Sequence, residues 1–340
     1  MIPHKRAFLA KGLRLSGALT LLERLARRPG LLVLTYHRIV ESTGPFYPQV
    51  ASATPETLHD ELSALARSRR VVTLDEALTL AEGRFETAEA LALVTFDDGY
   101  RDNADAALPV LRALGVPATF FLTTNFLDGV HLPWWDHVSY VVNTSRVRVL
   151  KVARPSPLEL DLAAVPRPEA VARLIRAYLD HLETDERALR LDLEASAEVM
   201  VDEARLSRSL FMTWDDARSL VSAGMSIGSH TVSHRALGRL SEVEQRAELA
   251  GSKRRLETEL GCSVSALAYP YGWPGMFDAT TARIAREVGY RSAFLSREGI
   301  NPPGAADPFS ILRLGVGRAD PPVLHRARWA LHGAFGGSIL

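Results

Sequence analysis

Short apolar runs alternate with longer stretches of helical periodicity along most of this chain. Leu31-Leu32-Val33-Leu34-Thr35-Tyr36 ends at His37-Arg38, Ala90–Phe96 ends at Asp97-Asp98-Gly99, and Ala118–Leu122 is a third such run. Each reads as a buried strand. Thr54 and Pro55 open a predicted helix running to Arg69, with Leu58, Leu62 and Leu65 on one face; Asp75–Ala81 and Asn103–Leu114, the latter closed by Gly115, predict two more. The rhythm returns late in the chain. Strands predicted at Met225–Ser229, Ala266–Tyr269 and Ser292–Leu295 alternate with helices at 214–223, 241–260 and 278–288, the first entered through a capping box at Thr213-Trp214-Asp215-Asp216. Strand, helix, strand at this spacing predicts parallel βαβ units. Residues about 127–210 differ: rich in Arg, Leu, Ala and Glu, and carrying Pro155, Pro157, Pro166 and Pro168, they predict mainly helices. Neither flank makes a complete core alone, so this stretch is read as an insertion in one domain spanning 29–340.

Composition narrows the function classes. Lys+Arg and Asp+Glu both number 40 in 340 residues, so no global charge points to nucleic acid. Cys262 is the single cysteine, which excludes an intrachain disulfide and a Cys-based metal cluster. No apolar run approaches the roughly 18 residues of a membrane span. Residues 1–28 interleave Lys5, Arg6, Lys11, Arg14, Arg24, Arg27 and Arg28 with leucines at helical spacing. Two readings stand: an amphipathic helix docked on the domain, or a basic helix resting on an anionic membrane surface. A secretory signal would have a continuous apolar centre and a small-residue cleavage site. The expectation is therefore a cytoplasmic protein, with peripheral contact at the inner membrane face under the second reading.

Two motifs carry candidate chemistry. Asp97 and Asp98 are adjacent carboxylates at a strand end, where active sites assemble in parallel α/β folds; taken alone, the pair could equally cap a helix or form a turn. His230 and His234, in Ser229-His230-Thr231-Val232-Ser233-His234, would share one side of a helical turn. Two histidines and one aspartate make an open metal site with room for water. Gly224-Met225-Ser226-Ile227-Gly228 matches a hydrolase elbow in letters only, because a helix precedes Ser226 and the residue falls inside the predicted strand. Trp134-Trp135-Asp136-His137 reads as core or helix entry, or as a surface on which a sugar ring stacks.

The stretches TFDDGYRDN at 95–103, GVPATFFL at 115–122, TWDDARSLVSAGMSIGSHTVSH at 213–234 and AYPYG at 268–272 resemble the polysaccharide deacetylase family, the NodB-homology enzymes of carbohydrate esterase family 4. The resemblance implies a distorted (β/α)7 barrel and one divalent metal, commonly zinc, although the ligand types also suit cobalt, nickel or iron. It implies Asp97 as catalytic base, Asp98, His230 and His234 as metal ligands, and the backbone N–H of Tyr271 as oxyanion donor. Most relatives carry an arginine where this chain has Ala268, so that the role of orienting the base is either lost or supplied by another residue. Arg313, in Ile-Leu-Arg-Leu-Gly, is the candidate, against an ordinary surface arginine. For the general acid, His325 and His332 fit the family's C-terminal histidine motif poorly. Thr35-Tyr36-His37-Arg38 instead resembles the N-terminal Tyr-His motif of poly-N-acetylglucosamine deacetylases, which implies His37 as the acid, against a structural or substrate-binding histidine. The expected function is metal-dependent removal of N-acetyl or other acyl groups from a carbohydrate, an N-acetylhexosamine glycan or a lipid-linked sugar. The alternatives are an amidohydrolase on a small non-sugar amide and a non-catalytic glycan-binding relative.

Overall fold

In the computed structural model the apolar runs become the staves of one curled parallel sheet. Residues 29–83, 87–181, 186–303 and 307–335 are described, together with Gly12. The basic stretch 1–28 lies, apart from Gly12, outside the described residues.

In chain order the elements before the insertion are β1 (Gly30–Tyr36), β2 (Arg38–Ile39), β3 (Ala51–Ala53), α1 (Pro55–Ser68), β4 (Arg70–Val71), α2 (Leu74–Ala81), β5 (Ala90–Phe96), α3 (Leu108–Leu114) and β6 (Thr119–Leu122). A single π-helical turn, Asn103–Ala107, leads into α3, and Gly115 closes that helix in the left-handed conformation. After the short α4 (Thr124–Leu127) come α5 (Trp134–Thr144), β7 (Val149–Val152), β8 (Leu158–Asp161), α6 (Arg167–Leu179), α7 (Glu186–Ala197) and α8 (Glu203–Leu210). The chain then returns to strand and helix: α9 (Trp214–Ser222), β9 (Ser226–Ser229), α10 (Glu242–Leu260), β10 (Ala266–Ala268), α11 (Ala279–Val288), β11 (Ser292–Phe294), β12 (Leu314–Gly315) and α12 (Pro322–Phe335). The capping boxes at Thr54, Thr213, Ser241 and Asp278 explain why these helices start where they do, each satisfying backbone N–H groups that the first turn leaves open.

The sheet runs β11-β10-β9-β6-β5-β1-β12, all parallel, with β4 beside β5 at its entry end. Closure comes from the segment before β12. Ile311 bridges Phe294 of β11, and Leu314 and Gly315 pair with Leu34 and Thr35 of β1. Seven strands around one axis give the (β/α)7 barrel that the sequence resemblance implied.

Side chains alternate across each strand. On β1 and β5, Leu32, Leu34, Ala92 and Val94 pack outward under the helices, whereas Leu31, Val33, Leu91 and Leu93 face a separate inner cluster with Phe121, Ala266, Ala268, Phe294 and Ile311. The bore is narrow: a Cβ on Gly228 would stand 2.3 Å from the Phe121 ring. Continuing the period of two toward the strand ends brings Thr35 and Thr95 together, their hydroxyls 3.2 Å apart, and then His37 and Asp97 at the mouth. The same count leads from Gly228 to His230, from Phe294 to Ser296 and from Ile311 to Arg313.

Residues 134–210 surround a second apolar cluster built on Trp135, Val138, Leu174, Leu193 and Phe211. Beyond the expected helices this region contains an antiparallel hairpin, β7–β8. It reaches the barrel mouth through the amino end of α5.

Candidate active site

Strand β5 ends in a turn that only particular backbones allow. Asp98 takes φ 75°, and a Cβ on Gly99 (φ 90°) would lie 2.9 Å from Leu127. Asp97 points into the bore and Asp98 beside it. The expected helical turn for His230 and His234 is not what forms. The segment after β9 is a loop in which Thr231 and His234 have φ 68° and 58°. Left-handed residues reverse the chain twice, and it is this reversal, rather than helical spacing, that brings the two rings to 4.7 Å. Among the described residues five non-glycines have positive φ, and four of them are Asp98, Thr231, His234 and Tyr271. Backbone strain is thus concentrated where the candidate ligands converge.

Ligand atoms of Asp98, His230 and His234 all lie within 4.8 Å of one another. Asp98 Oδ1 is 3.6 Å from His230 Nε2 and 3.4 Å from His234 Nε2. His230 Nδ1 stands 2.7 Å from the Ala268 carbonyl, so that nitrogen carries the proton and Nε2 offers its lone pair to the centre. Burial lowers His230 to about 4 and His234 well below its ordinary value, which leaves both imidazoles neutral at pH 7. Asp98 Oδ1 is buried without a hydrogen-bond partner. Burial, then the neighbouring Asp97 charge, pushes the Asp98 carboxyl well above the carboxylate range. An orphaned buried oxygen facing two neutral imidazoles suits a divalent cation, which would supply the charge that keeps Asp98 ionised.

Asp97 has the opposite environment. Arg313 is 1% exposed, not a surface arginine, and its Nη1 and Nη2 donate to Asp97 Oδ1 and Oδ2 at 2.8 Å each. Its Nε donates to the Leu295 carbonyl at 2.9 Å. Burial, the largest single effect, raises the Asp97 carboxyl, but Arg313 together with His230 and His37 outweighs it, and the net value falls to about 2. Two adjacent carboxylates therefore have environments that drive their proton affinities apart, a pattern of sites in which the two perform different tasks.

His37 and Tyr271 complete the mouth. A cavity of about 380 Å³ is lined by His37, Asp97, Asp98, His230, His234 and Tyr271, with Tyr47, Trp273 and Ser296 among its other walls. Burial lowers the His37 imidazole, against the pull of Asp97. Tyr271 sits at φ 63°, its ring edge-on to His234 at 5.0 Å. Neither C-terminal histidine lines this cavity. His325 is buried against Glu61 at 2.6 Å and the Gly317 carbonyl at 3.1 Å, and His332 lies 3.3 Å from Glu298. Trp134 and Trp135 are 6% and 7% exposed and wall the cavity. Trp134 donates to the Tyr271 hydroxyl at 2.9 Å, and Trp135, edge-on to His234, donates to the Tyr100 hydroxyl at 2.9 Å. Ser226 opens β9 in register with Thr119, far in geometry from a strand-to-helix elbow.

Glu248 on α10 had no signal in the sequence beyond being one acid on a polar helix. Its carboxylate accepts from the backbone N–H groups of Val232 and Ser233, both at 2.9 Å, and so pins the loop that carries His234. Groups supporting metal ligands typically contribute about 10- to 100-fold in affinity. Glu248→Ala is expected to weaken binding of an added divalent cation by about that much in a calorimetric titration, and unchanged affinity would mean that the loop holds itself.

A family model described as polysaccharide deacetylase matches residues 85–149 and 191–293. A curated but uncharacterized protein of Streptomyces coelicolor is 29% identical over 168 residues, 42% of this chain and 66% of its own length. YxkH of Bacillus subtilis, provisionally described as a polysaccharide deacetylase, is 21% identical over 278 residues, 82% of this chain and 67% of its own. The matched part of the chain thus spans about two thirds of the length of these relatives. Among solved structures, IcaB from Ammonifex degensii superposes with TM-score 0.58 at 21% identity, covering 91% of this chain and 98% of that one. The Streptococcus pyogenes deacetylase PplD gives 0.56 at 18%, covering 87% and 96%. At these identities the two structures establish the fold.

Proposed function

The chain belongs to the polysaccharide deacetylase family, and from that premise we propose that it hydrolyses the N-acetyl group of a carbohydrate, an N-acetylhexosamine glycan or a lipid-linked sugar. The observation that carries the reading is the pairing of a clamped, ionised Asp97 with the buried Asp98–His230–His234 cluster beside it. Asp98, His230 and His234 would hold one divalent cation, zinc by preference. Such an ion, when bound, acidifies water and polarises a carbonyl.

The protein's own groups do the rest. Asp97, fixed by both guanidinium nitrogens of Arg313, accepts the proton of the attacking water. Arg313 keeps that carboxylate ionised and aimed in a bore that would otherwise favour its neutral form. The Tyr271 N–H faces the oxygen on which charge develops. His37, at the end of the strand beside that of Asp97, donates a proton to the departing amine, without which an amide does not break. The half-buried Tyr47 and the exposed Trp273, both walls of the cavity, suit the apolar faces of a pyranose.

The test is acetate release from an N-acetylglucosamine oligomer by chelator-treated protein before and after zinc is restored. Full activity in rigorously metal-free protein, or release from small cyclic amides but from no sugar, would overturn the reading. Among the described residues no helix is long and apolar enough to cross a membrane. A cytoplasmic enzyme acting at the inner membrane face would bring its mouth to lipid-linked sugars through the basic residues 1–28, each Lys or Arg adding about 1 kcal/mol at an anionic surface. Full-length protein is then expected to sediment with anionic vesicles at low salt and to stop doing so without residues 1–28. Equal sedimentation of both forms would remove that role from the segment.

A further inference from the structure

His37 occupies a break between two sheets. The β1–β5 ladder ends at Tyr36, paired with Phe96, and the β2–β3 pairing begins at Arg38, opposite Ala51. A residue at such a break loses the ladder that would hold its peptide, and its backbone groups must find other partners. Side chains supply both. The His37 N–H donates to Ser52 Oγ at 2.9 Å, and the His37 carbonyl accepts from Asn103 Nδ2 at 2.6 Å. Ser52 and Asn103 are buried, at 3% and 0% exposure. One residue further on, Asp102 accepts from the Ile39 N–H at 2.7 Å and from Arg38 Nε at 3.0 Å.

We propose that Ser52 and Asn103 are positioning residues that fix the His37 peptide at the break and thereby aim its imidazole at the leaving group. The inference rests on the reading of His37 as the general acid. Asn103 belongs to the same motif as Asp97, so one short segment would furnish the base and hold the acid at the end of the neighbouring strand. A clamp on the N–H and the C=O of His37, which belong to the two peptide units flanking its Cα, restricts rotation of the residue about its own backbone axis, and that rotation is what would swing the ring out of the mouth.

The experiment compares two substrates that differ in their need for an acid. Amide cleavage in an N-acetylglucosamine oligomer requires a proton on the departing nitrogen, whereas 4-nitrophenolate leaves 4-nitrophenyl acetate without one. His37→Ala is expected to lose about 10²-fold or more on the amide and little on the ester. Asn103→Ala and Ser52→Ala should show the same selectivity at about 10-fold, in kcat more than KM, with zinc content unchanged. Combined with His37→Ala, neither should cost anything further, because both act through that ring. Equal losses on amide and ester, or losses that add to those of His37→Ala, would overturn the proposal in favour of a structural role. If His37→Ala is selective and neither positioning variant is, the clamp alone fails. If His37→Ala is not selective, the acid assignment fails and the clamp with it. Ser52→Ala, a smaller excision at a different element, keeps the test open should Asn103→Ala not fold.

Discussion

Arg313→Met is expected to cost about 3–5 kcal/mol of stability at pH 7, the range for removing one partner of a buried ion pair. The loss would come from leaving the Asp97 carboxylate in the bore without its counter-charge. The pH dependence gives the sharper signature. In the parent protein Asp97 is lowered from 3.8 to about 2, so its contribution is complete above about pH 4 and disappears as the pH falls through 2. In the variant burial, the largest single effect, is opposed only by His230 and His37, and the shift is expected to reverse sign. Stability should then rise as the pH is lowered from neutrality and Asp97 takes up a proton. Urea unfolding of both proteins between pH 3 and 8 reads this directly. Parallel pH profiles would show that Arg313 is not what keeps Asp97 ionised. Arg313→Met/Asp97→Asn, which removes both charges, should recover part of the lost stability without activity.

Asp97→Asn and His234→Ala should separate turnover from metal binding. Asparagine can still accept from Arg313 but cannot take a proton from water, so turnover should fall by about 10²–10⁴ while zinc content in equilibrium dialysis stays near one per chain. His234→Ala removes one of three candidate ligands and should lower zinc affinity first and activity in consequence. Equal metal loss in both variants would mean that the two aspartates have been assigned to the wrong tasks.

The barrel was legible because a parallel sheet repeats its signal. Apolar runs that stop abruptly, capped helices between them and a period of two along each run are local properties, and Asp97 and His37 fall on the inner face by simple counting. What the chain concealed was long-range or carried by the backbone. Residues 97 and 313 are 216 positions apart, and nothing in Ile-Leu-Arg-Leu-Gly distinguishes a buried clamp from an exposed arginine until the strand that carries it is placed. The spacing of His230 and His234 suggested a helical turn, but φ values above 50° at Thr231 and His234 build a tighter reversal that residue types alone do not announce. Glu248 acts through a carboxylate on backbone N–H groups, an interaction with no motif. The β7–β8 hairpin lay hidden in a stretch whose composition favours helices, its pairing fixed by the cluster beneath it.

The clamp on Asp97 arrives with the segment that closes the barrel, since Ile311 bridges β11 while Leu314 and Gly315 join β1. During synthesis the chain therefore carries Asp97 for more than two hundred residues before its counter-charge at Arg313 exists. Through that interval the Asp97 carboxyl lacks its counter-charge, and closing the bore around it as an anion is disfavoured. Under the proposed mechanism, completion of the fold and onset of the chemistry would be one event, and a chain lacking this last stave is expected to be inert rather than indiscriminately hydrolytic.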